Sequence, residues 1–423
     1  MPLGLYISVP FCRTKCSYCN FASDVFSKSA YENYVARLVE DIANSRRLAS
    51  ELGCVIDAGA DSVYLGGGTP SILDASQLLS IFAAVRDHFA VSPDAEITVE
   101  CAPGTLTPAL IETLLQCGVN RVSLGVQSFV DREAQSVGRL HKRSTVLEEI
   151  DRLREAGLNN ISIDLIAGLP HQTPESWGLS VAETIATGVP HASVYMLEVD
   201  EDSRLGRELI AGGARYHAHF VPDDDATADF YQQGCEALTT AGIEQYEISN
   251  FARTETRVPR PSSAWAGPLS YQSRHNLKYW TRQPYLGFGV DAHSMLAAGS
   301  QKGDLCQAVR FATPDSLDAY MSRTPHTVTP ISAQATIEES FFLGLRLNRG
   351  IDLERLRTES SPEMITFWES AIRQSVKEGL LERQGTTLRL TARGRLLSNE
   401  VFARFLVEEA EETKVGTGNV NPR

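Results

Sequence analysis

The first two hundred residues alternate short apolar runs with longer stretches whose apolar positions recur every three or four residues. Residues 3–9, 62–65, 96–99, 121–125, 160–165 and 192–197 are short, β-branched or continuously apolar runs, the pattern of strands buried on both faces. Residues 31–52, 76–89, 108–116, 146–156 and 176–185 carry helical periodicity between them. Six strand–helix units in series predict an α/β fold with a parallel sheet, and right-handed crossovers curl that sheet toward an open barrel. In such barrels the chemistry gathers at the C-terminal ends of the strands.

After residue 240 the alternation stops. Three motif-like stretches follow: Tyr246-Glu247-Ile248-Ser249-Asn250-Phe251-Ala252, Ser273-Arg274-His275-Asn276-Leu277-Lys278-Tyr279-Trp280, and Tyr285 through Ser294. Further on, Ile337, Phe341 and Leu345 form one helical stripe. Ser361-Pro362 starts a helix whose buried face is Ile365, Trp368, Ile372 and Val376, and Gly379 stops it. Residues 380–383 and 386–390 read as a hairpin about Gln384-Gly385, before a last helix to about Leu406. This is a winged-helix-like α+β domain. The chain therefore divides into 1–240, 241–310, 311–407 and an acidic, then Gly- and Asn-rich, tail at 408–423 that reads as disordered. Residues 253–272, with Pro259, Pro261 and Pro268, read as a mobile loop.

Charge narrows the partners. The 423 residues carry a formal net charge of −14, which disfavours a phosphate backbone. The wing domain does not alter that reading, because its recognition helix sets Glu363, Glu369 and Glu378 against Arg373 and Lys377. The N-terminus lacks a basic region followed by a cleavable apolar one, and no apolar run reaches the roughly 18 residues of a membrane span, so the sequence reads as cytoplasmic. Eight cysteines, three crowded and five scattered (Cys54, Cys101, Cys117, Cys235, Cys306), fit a reducing compartment.

The crowded three carry the chemistry. Cys12, Cys16 and Cys19 follow the first strand at C-x3-C-x2-C. One loop with that spacing can hold three irons of a [4Fe–4S] cube and leave the fourth without a protein ligand. Structural zinc takes four ligands, usually as two separated pairs, and no second Cys or His pair follows. Beyond the second strand, Gly66-Gly67-Gly68-Thr69-Pro70 forms a sharp turn whose bare backbone can approach a small ligand. Glu100, Gln127 and Asp164 fall at or just after later strand ends. A carboxylate at the barrel mouth, as Glu100 would be, can accept from ribose hydroxyls or an amine, whereas Arg139 suits any carboxylate, a propionate included. In a helix, His275 and Tyr279 would share a face beside Trp280, which offers an axial iron ligand with flat walls. A hydrogen-bonded structural histidine is the alternative.

These motifs resemble the radical SAM superfamily, and within it the branch that holds the oxygen-independent coproporphyrinogen III dehydrogenase and a related heme chaperone. The resemblance implies a partial (β/α)6 barrel in which the amino and carboxylate groups of S-adenosylmethionine chelate the open iron. It implies that Gly67, Gly68 and Thr69 meet the methionyl amino group and that Tyr6 and Tyr18 flank the cofactor. Glu100, Gln127, Arg139 and Asp164 match further cofactor positions. The His-Asn-x-x-Tyr-Trp pattern is associated with heme in the chaperone, which implies heme at His275, Tyr279 and Trp280, with His293 the nearest alternative ligand downstream.

Two departures separate the chaperone from the dehydrogenase. The dehydrogenase has a fourth cysteine where Phe21 stands, and an N-terminal arm ahead of the cluster loop. The expected function is therefore heme delivery to an acceptor protein, a membrane respiratory complex being one candidate, with a peripheral inner-membrane station and a homodimer as further expectations. Oxidative decarboxylation of a porphyrinogen propionate is the alternative, and dehydrogenase activity is not expected.

Overall fold

A computed structural model describes residues 1–255, 269–299, 306–359 and 362–407. Most of the expected mobile loop and the whole expected disordered tail lie outside the described residues.

The six expected strands form, as β1 (Leu3–Val9), β2 (Gly59–Gly67), β3 (Ala90–Cys101), β4 (Arg121–Gln127), β5 (Ile161–Ala167) and β6 (His191–Met196). Each is parallel to the next in sequence. Their side chains are buried almost without alternation, as in β1, because both faces are covered. Helices α1 (Lys28–Glu51), α2 (Ala75–His88), α3 (Pro108–Gln116), α4 (Asp131–Ser136), α5 (Arg143–Glu155) and α6 (Pro174–Ala186) make the crossovers. Local signals start several of them: Asp74 and Gln77 cap α2 reciprocally, and Thr107 caps α3 with Pro108 at its first turn.

The sheet does not stop at six strands. Beyond α7 (Arg204–Ala211) and α8 (Asp224–Thr240), the short strands β7 (Glu244–Gln245) and β8 (Asn250–Ala252) extend its β6 edge antiparallel. A two-residue ladder joins β9 (Thr254–Glu255) to β10 (Leu269–Ser270). After α9 (Arg274–Trp280), β11 (Tyr285–Phe288) runs parallel beside β1, and β12 (His293–Ala297), β13 (Cys306–Ala312) and, past α10 (Leu317–Met321), β14 (Thr327–Ser332) continue antiparallel. The sheet order is β14-β13-β12-β11-β1-β2-β3-β4-β5-β6-β8-β7. The boundary expected at 311 thus falls inside β13, and the large sheet reaches Ser332. The antiparallel ladders of β13 with β12 and β14 carry 306–332 into the sheet, and local periodicity does not show that those strands pair.

The C-terminal domain begins with α11 (Ala333–Gly344), β15 (Ile351–Asp352), α12 (Leu353–Glu359) and α13 (Pro362–Lys377). The hairpin β16 (Leu381–Gln384) and β17 (Thr387–Leu390) and two short helices, α14 (Ala392–Leu396) and α15 (Ser398–Ala403), complete it. The strand order β15-β17-β16 and the helix order are those of a winged helix. Its own core holds Ile337, Phe341, Leu345, Ile365, Trp368 and Ile372. Val376, expected on that face, is exposed at the end of α13, and the single last helix is broken at Leu397.

The two domains meet through charge. Glu339 of α11, nearly buried, pairs with Arg282 at 2.9 Å and with Arg310 at 2.8 Å. Arg346 lies 4.2 Å over the Trp280 ring and 3.5 Å from buried Glu247.

Candidate functional site

The cysteine loop is pinned at its base. Cys12 N–H donates to Asp24 O and Asp24 N–H to Pro10 O, each at 3.0 Å, so residues 12–24 close as one excursion from β1. Neighbouring elements hold its tip: Ser17 N–H reaches Val137 O at 3.1 Å, Leu205 N–H reaches Ser17 O at 2.8 Å, and Arg204 Nη1 reaches Lys15 O at 3.2 Å. Cys12 is buried, while Cys16 and Cys19 are half-buried and face the cavity described below. Burial pushes the Cys19 thiol up from its ordinary value. No three His, Cys, Asp or Glu side chains among the described residues are set to hold a single metal ion. A cube in which each thiolate takes its own iron makes no such demand.

Against this loop lies the glycine turn. Gly68 N–H donates to Val9 O and Thr69 N–H to Phe11 O, both at 2.8 Å. A Cβ on Gly68 would sit 2.7 Å from Phe11 O and 3.0 Å from Cys12 Sγ, so only glycine lets the turn seat on the loop. Gly67, at φ +102, takes a conformation that side chains resist.

Both elements open on one cavity of about 510 Å³ at the C-terminal mouth of the barrel. It is lined by Cys12, Cys16, Tyr18, Cys19, Gly67, Gly68, Thr69, Glu100, Gln127, Arg139 and Asp164, so it brings together every expected cluster residue and all but one of the expected S-adenosylmethionine contacts. Glu100 Oε1 accepts from Tyr64 Oη at 2.9 Å and Oε2 from Gly67 N–H at 3.2 Å. Burial nonetheless pushes its carboxyl up to about 7. Asp164 lies in the middle of β5 rather than at its end, and its carboxylate accepts from Ser123 Oγ at 3.2 and 3.3 Å. Burial raises it too.

Gln127 ends β4 with φ +67 at a register shift against β5, and this bulge turns its side chain inward. Its Oε1 is buried with no partner among the described residues. Arg139 donates to Tyr18 Oη at 3.0 Å and leaves its buried Nε unpartnered. Unpaired polar atoms in a closed site are costly unless a ligand meets them. Carboxylates, an amide oxygen, a guanidinium and bare backbone on one cavity wall fit a small zwitterionic cofactor with hydroxyls, and the three thiols fit the cluster.

The exception is Tyr6. It stands one layer deeper, stacked on Tyr64 at 6.1 Å, and does not line the cavity. Sequence reasoning also missed Tyr64, Ser123 and the β6 end, where Tyr195 and Met196 form the far wall. Tyr195 was legible only as an alternating position on the last strand.

The His275 segment closes the opposite end. Helix α9, capped by Ser273, sits across the N-terminal ends of β1 to β3: Lys278 Nζ donates to Pro2 O at 2.9 Å and pairs with Asp61 at 2.6 Å, and His275 N–H donates to Glu96 Oε1 at 3.3 Å. His275 and Tyr279 do share a face. Both ring nitrogens of the buried imidazole are engaged, Nδ1 with Ser62 Oγ at 3.1 Å and Nε2 with Tyr279 Oη at 2.8 Å. Burial pushes this histidine down to about 3, so it is neutral. His293 is exposed beside Asp291.

A partial barrel with a three-thiol loop facing a glycine turn defines a radical SAM protein, and residues 6–181 match the radical SAM superfamily. Residues 331–397 match the HemN C-terminal domain. The heme chaperone HemW of Bacillus subtilis (strain 168) is 31% identical over 404 residues, spanning 95% of this chain and 99% of that protein. The heme chaperone HemW of Escherichia coli (strain K12) is 29% identical over 415 residues, 96% and 99% of the two chains. The bovine radical S-adenosyl methionine domain-containing protein 1, mitochondrial, is 28% identical across 99% of this chain and 91% of its own length. This chain belongs to the HemW family of the radical SAM superfamily. The solved coproporphyrinogen III oxidase (HemN) of Escherichia coli shares the fold, with a TM-score of 0.76 at 22% identity over 96% of this chain and 90% of that one.

Proposed function

We propose that this protein binds heme and delivers it to an acceptor protein, with an S-adenosylmethionine-ligated [4Fe–4S] cluster at the barrel mouth. Similarity to HemW chaperones that runs over 95% of the chain carries the reading. The absence of a fourth local thiol supports it, since Phe21 stands there with its ring 63% exposed.

Cys12, Cys16 and Cys19 would hold the cluster, which would supply a chelation site at its open iron and, once charged by an external reductant, an electron. The chain's own groups do the rest. Gly67 and Gly68 expose backbone to the cofactor, and Glu100, positioned by Tyr64, and Asp164, positioned by Ser123, accept from its amine and hydroxyls. Gln127 offers a free amide oxygen, and Arg139 with Tyr18 closes the side nearest the cysteine loop. A cavity of about 510 Å³ suits a cofactor of that size.

Heme contact at His275, Tyr279 and Trp280 requires α9 to leave the barrel base, because the imidazole is doubly bonded there and Trp280 carries Arg346 on its face. A membrane respiratory complex as acceptor, a cytoplasmic station at the inner membrane surface and a homodimeric carrier extend the proposal. No helix among the described residues is long and apolar enough to cross a membrane.

The test is transfer. Anaerobically reconstituted protein loaded with heme and mixed with a heme-free acceptor hemoprotein should lose its Soret band as the acceptor gains one. A chain that never takes up heme overturns the reading.

A further inference from the structure

A heme carrier needs an imidazole that iron can reach, a flat apolar wall and cations for the propionates. The buried histidines offer no such imidazole. His275 is doubly bonded, His191 is held by Ser162 and Tyr246, and His141 is buried against Val126 O. Three of the accessible ones, His171, His217 and His219, gather at a single place, whereas exposed His293 stands alone beside Asp291. His171, in the loop after β5, sets Nε2 3.4 Å from His217 Nδ1, and its ring packs on Phe220 with centroids 4.1 Å apart. His219 packs on Phe220 as well, tilted, with centroids 4.3 Å apart. Its imidazole is exposed and has no hydrogen bond among the described residues.

The patch is built rather than incidental. His171 N–H donates to Phe220 O at 2.9 Å, and Glu208 of α7 accepts from Tyr216 N–H and Ala218 N–H, fixing the segment that presents His217 and His219. His171 and His217 both hold positive φ, at 69° and 62°, a strained conformation that the surroundings must sustain. Apolar surface and charge of both signs surround them, Arg132 and Arg215 on one hand and Glu208, Asp229 and Glu236 on the other. Phe220 is 47% exposed, and Leu209 and Ile210 are exposed on α7, which packs against this turn. Arg132 sits 3.3 Å from His171, and Arg215 lies over Tyr216. An open groove of about 620 Å³ adjoins them, with Pro174, Phe220, Pro222 and Phe230 as its apolar wall and Gln172, Gln232, Gln233, Asp229 and Glu236 as its polar one. A bare metal ion is the poorer occupant, since no three such side chains converge on one point. Iron in a porphyrin already has its equatorial ligands and asks for only one or two imidazoles.

We propose that His217, His219 and Phe220 form a heme-docking face, with His219 the iron ligand and Arg132 and Arg215 meeting the propionates. The assignment rests on the heme-carrying reading above. Helix α7 joins this face to the cluster loop, because its first residues bond Lys15 O and Ser17 O while Glu208 holds the histidine segment. Docked heme would therefore lie at the cluster end of the barrel, away from His275.

Anaerobic hemin titration of the reconstituted full chain tests it, comparing wild type, a His217→Ala/His219→Ala variant, a milder His219→Gln variant and His275→Ala. The expected result is one heme per wild-type chain, at least tenfold weaker binding with a shifted Soret band in both surface variants, and unchanged iron and sulfide content throughout. Surface variants that bind as wild type does, or loss of heme confined to His275→Ala, overturn the docking face alone. A wild type that binds no heme overturns the carrier reading itself.

Discussion

Tyr64 donates its hydroxyl to Glu100 Oε1 at 2.9 Å, and through that bond the floor of the cavity is tied to the base of the barrel. The Tyr64 ring lies 5.3 Å from the His275 ring, which in turn bonds Tyr279. A buried column of two hydrogen bonds joined by one ring contact thus connects the cofactor end to α9. Changes at either end should be felt at the other, because the buried rings between them are packed without water to take up a shift.

Glu100 sets a pH dependence with a definite sign. Its carboxyl stands at about 7 in the folded chain against an ordinary value of 4.5. Between those values the unfolded chain ionises while the folded one stays protonated, so this group's contribution to stability is full below about 4.5 and lost as pH rises to about 7, on the order of 3 kcal/mol in total. Denaturant unfolding of wild type and Glu100→Gln at pH 5 and pH 8 should show the variant gaining relative stability at the higher pH. Parallel pH profiles would remove Glu100 as the source.

Replacing Cys12, Cys16 and Cys19 together by Ala should abolish the iron and sulfide content of reconstituted protein. About four irons retained per chain would make another thiol the ligand.

Gly68→Ala pushes a methyl against the carbonyl oxygens of Phe11 and Val9, backbone atoms that cannot swing aside. The expected cost is about 1–3 kcal/mol, with poor cluster reconstitution because the Cys12 end of the loop must shift. Wild-type stability and iron content together would show that the turn has slack the structure does not contain.

Glu339→Gln leaves Arg282 and Arg310 without their shared charge at the domain interface. Because both arginines reach solvent, Arg310 by a third, the loss costs about 1–3 kcal/mol, and the C-terminal domain should become the first target of limited proteolysis. A change under about 1 kcal/mol would place the interface energy in apolar contacts instead.

Much of the barrel was legible because strands covered on both faces, such as β1 and β5, are short runs rich in β-branched and apolar residues with longer helical periodicities between them. That Cys12, Cys16 and Cys19 share one loop after β1 was legible from their spacing, and the structure turns that loop onto the cavity. Gln127 was legible as a strand-end residue, but the left-handed bulge that aims it was not, since nothing in its neighbours demands positive φ. Tyr6 was misplaced by one layer, because β1 gives inward direction but not depth. The parallel seat of β11 beside β1 and the closed environment of His275 depend on contacts hundreds of residues apart, which no local pattern carries.

The most direct test of the central claim offers the anaerobically reconstituted protein, with S-adenosylmethionine and a reductant, heme and coproporphyrinogen III in separate reactions. The account predicts a stoichiometric heme complex with an intact cluster and no decarboxylated porphyrinogen above the protein-free control. Catalytic conversion of coproporphyrinogen III, with heme left unbound, would contradict it.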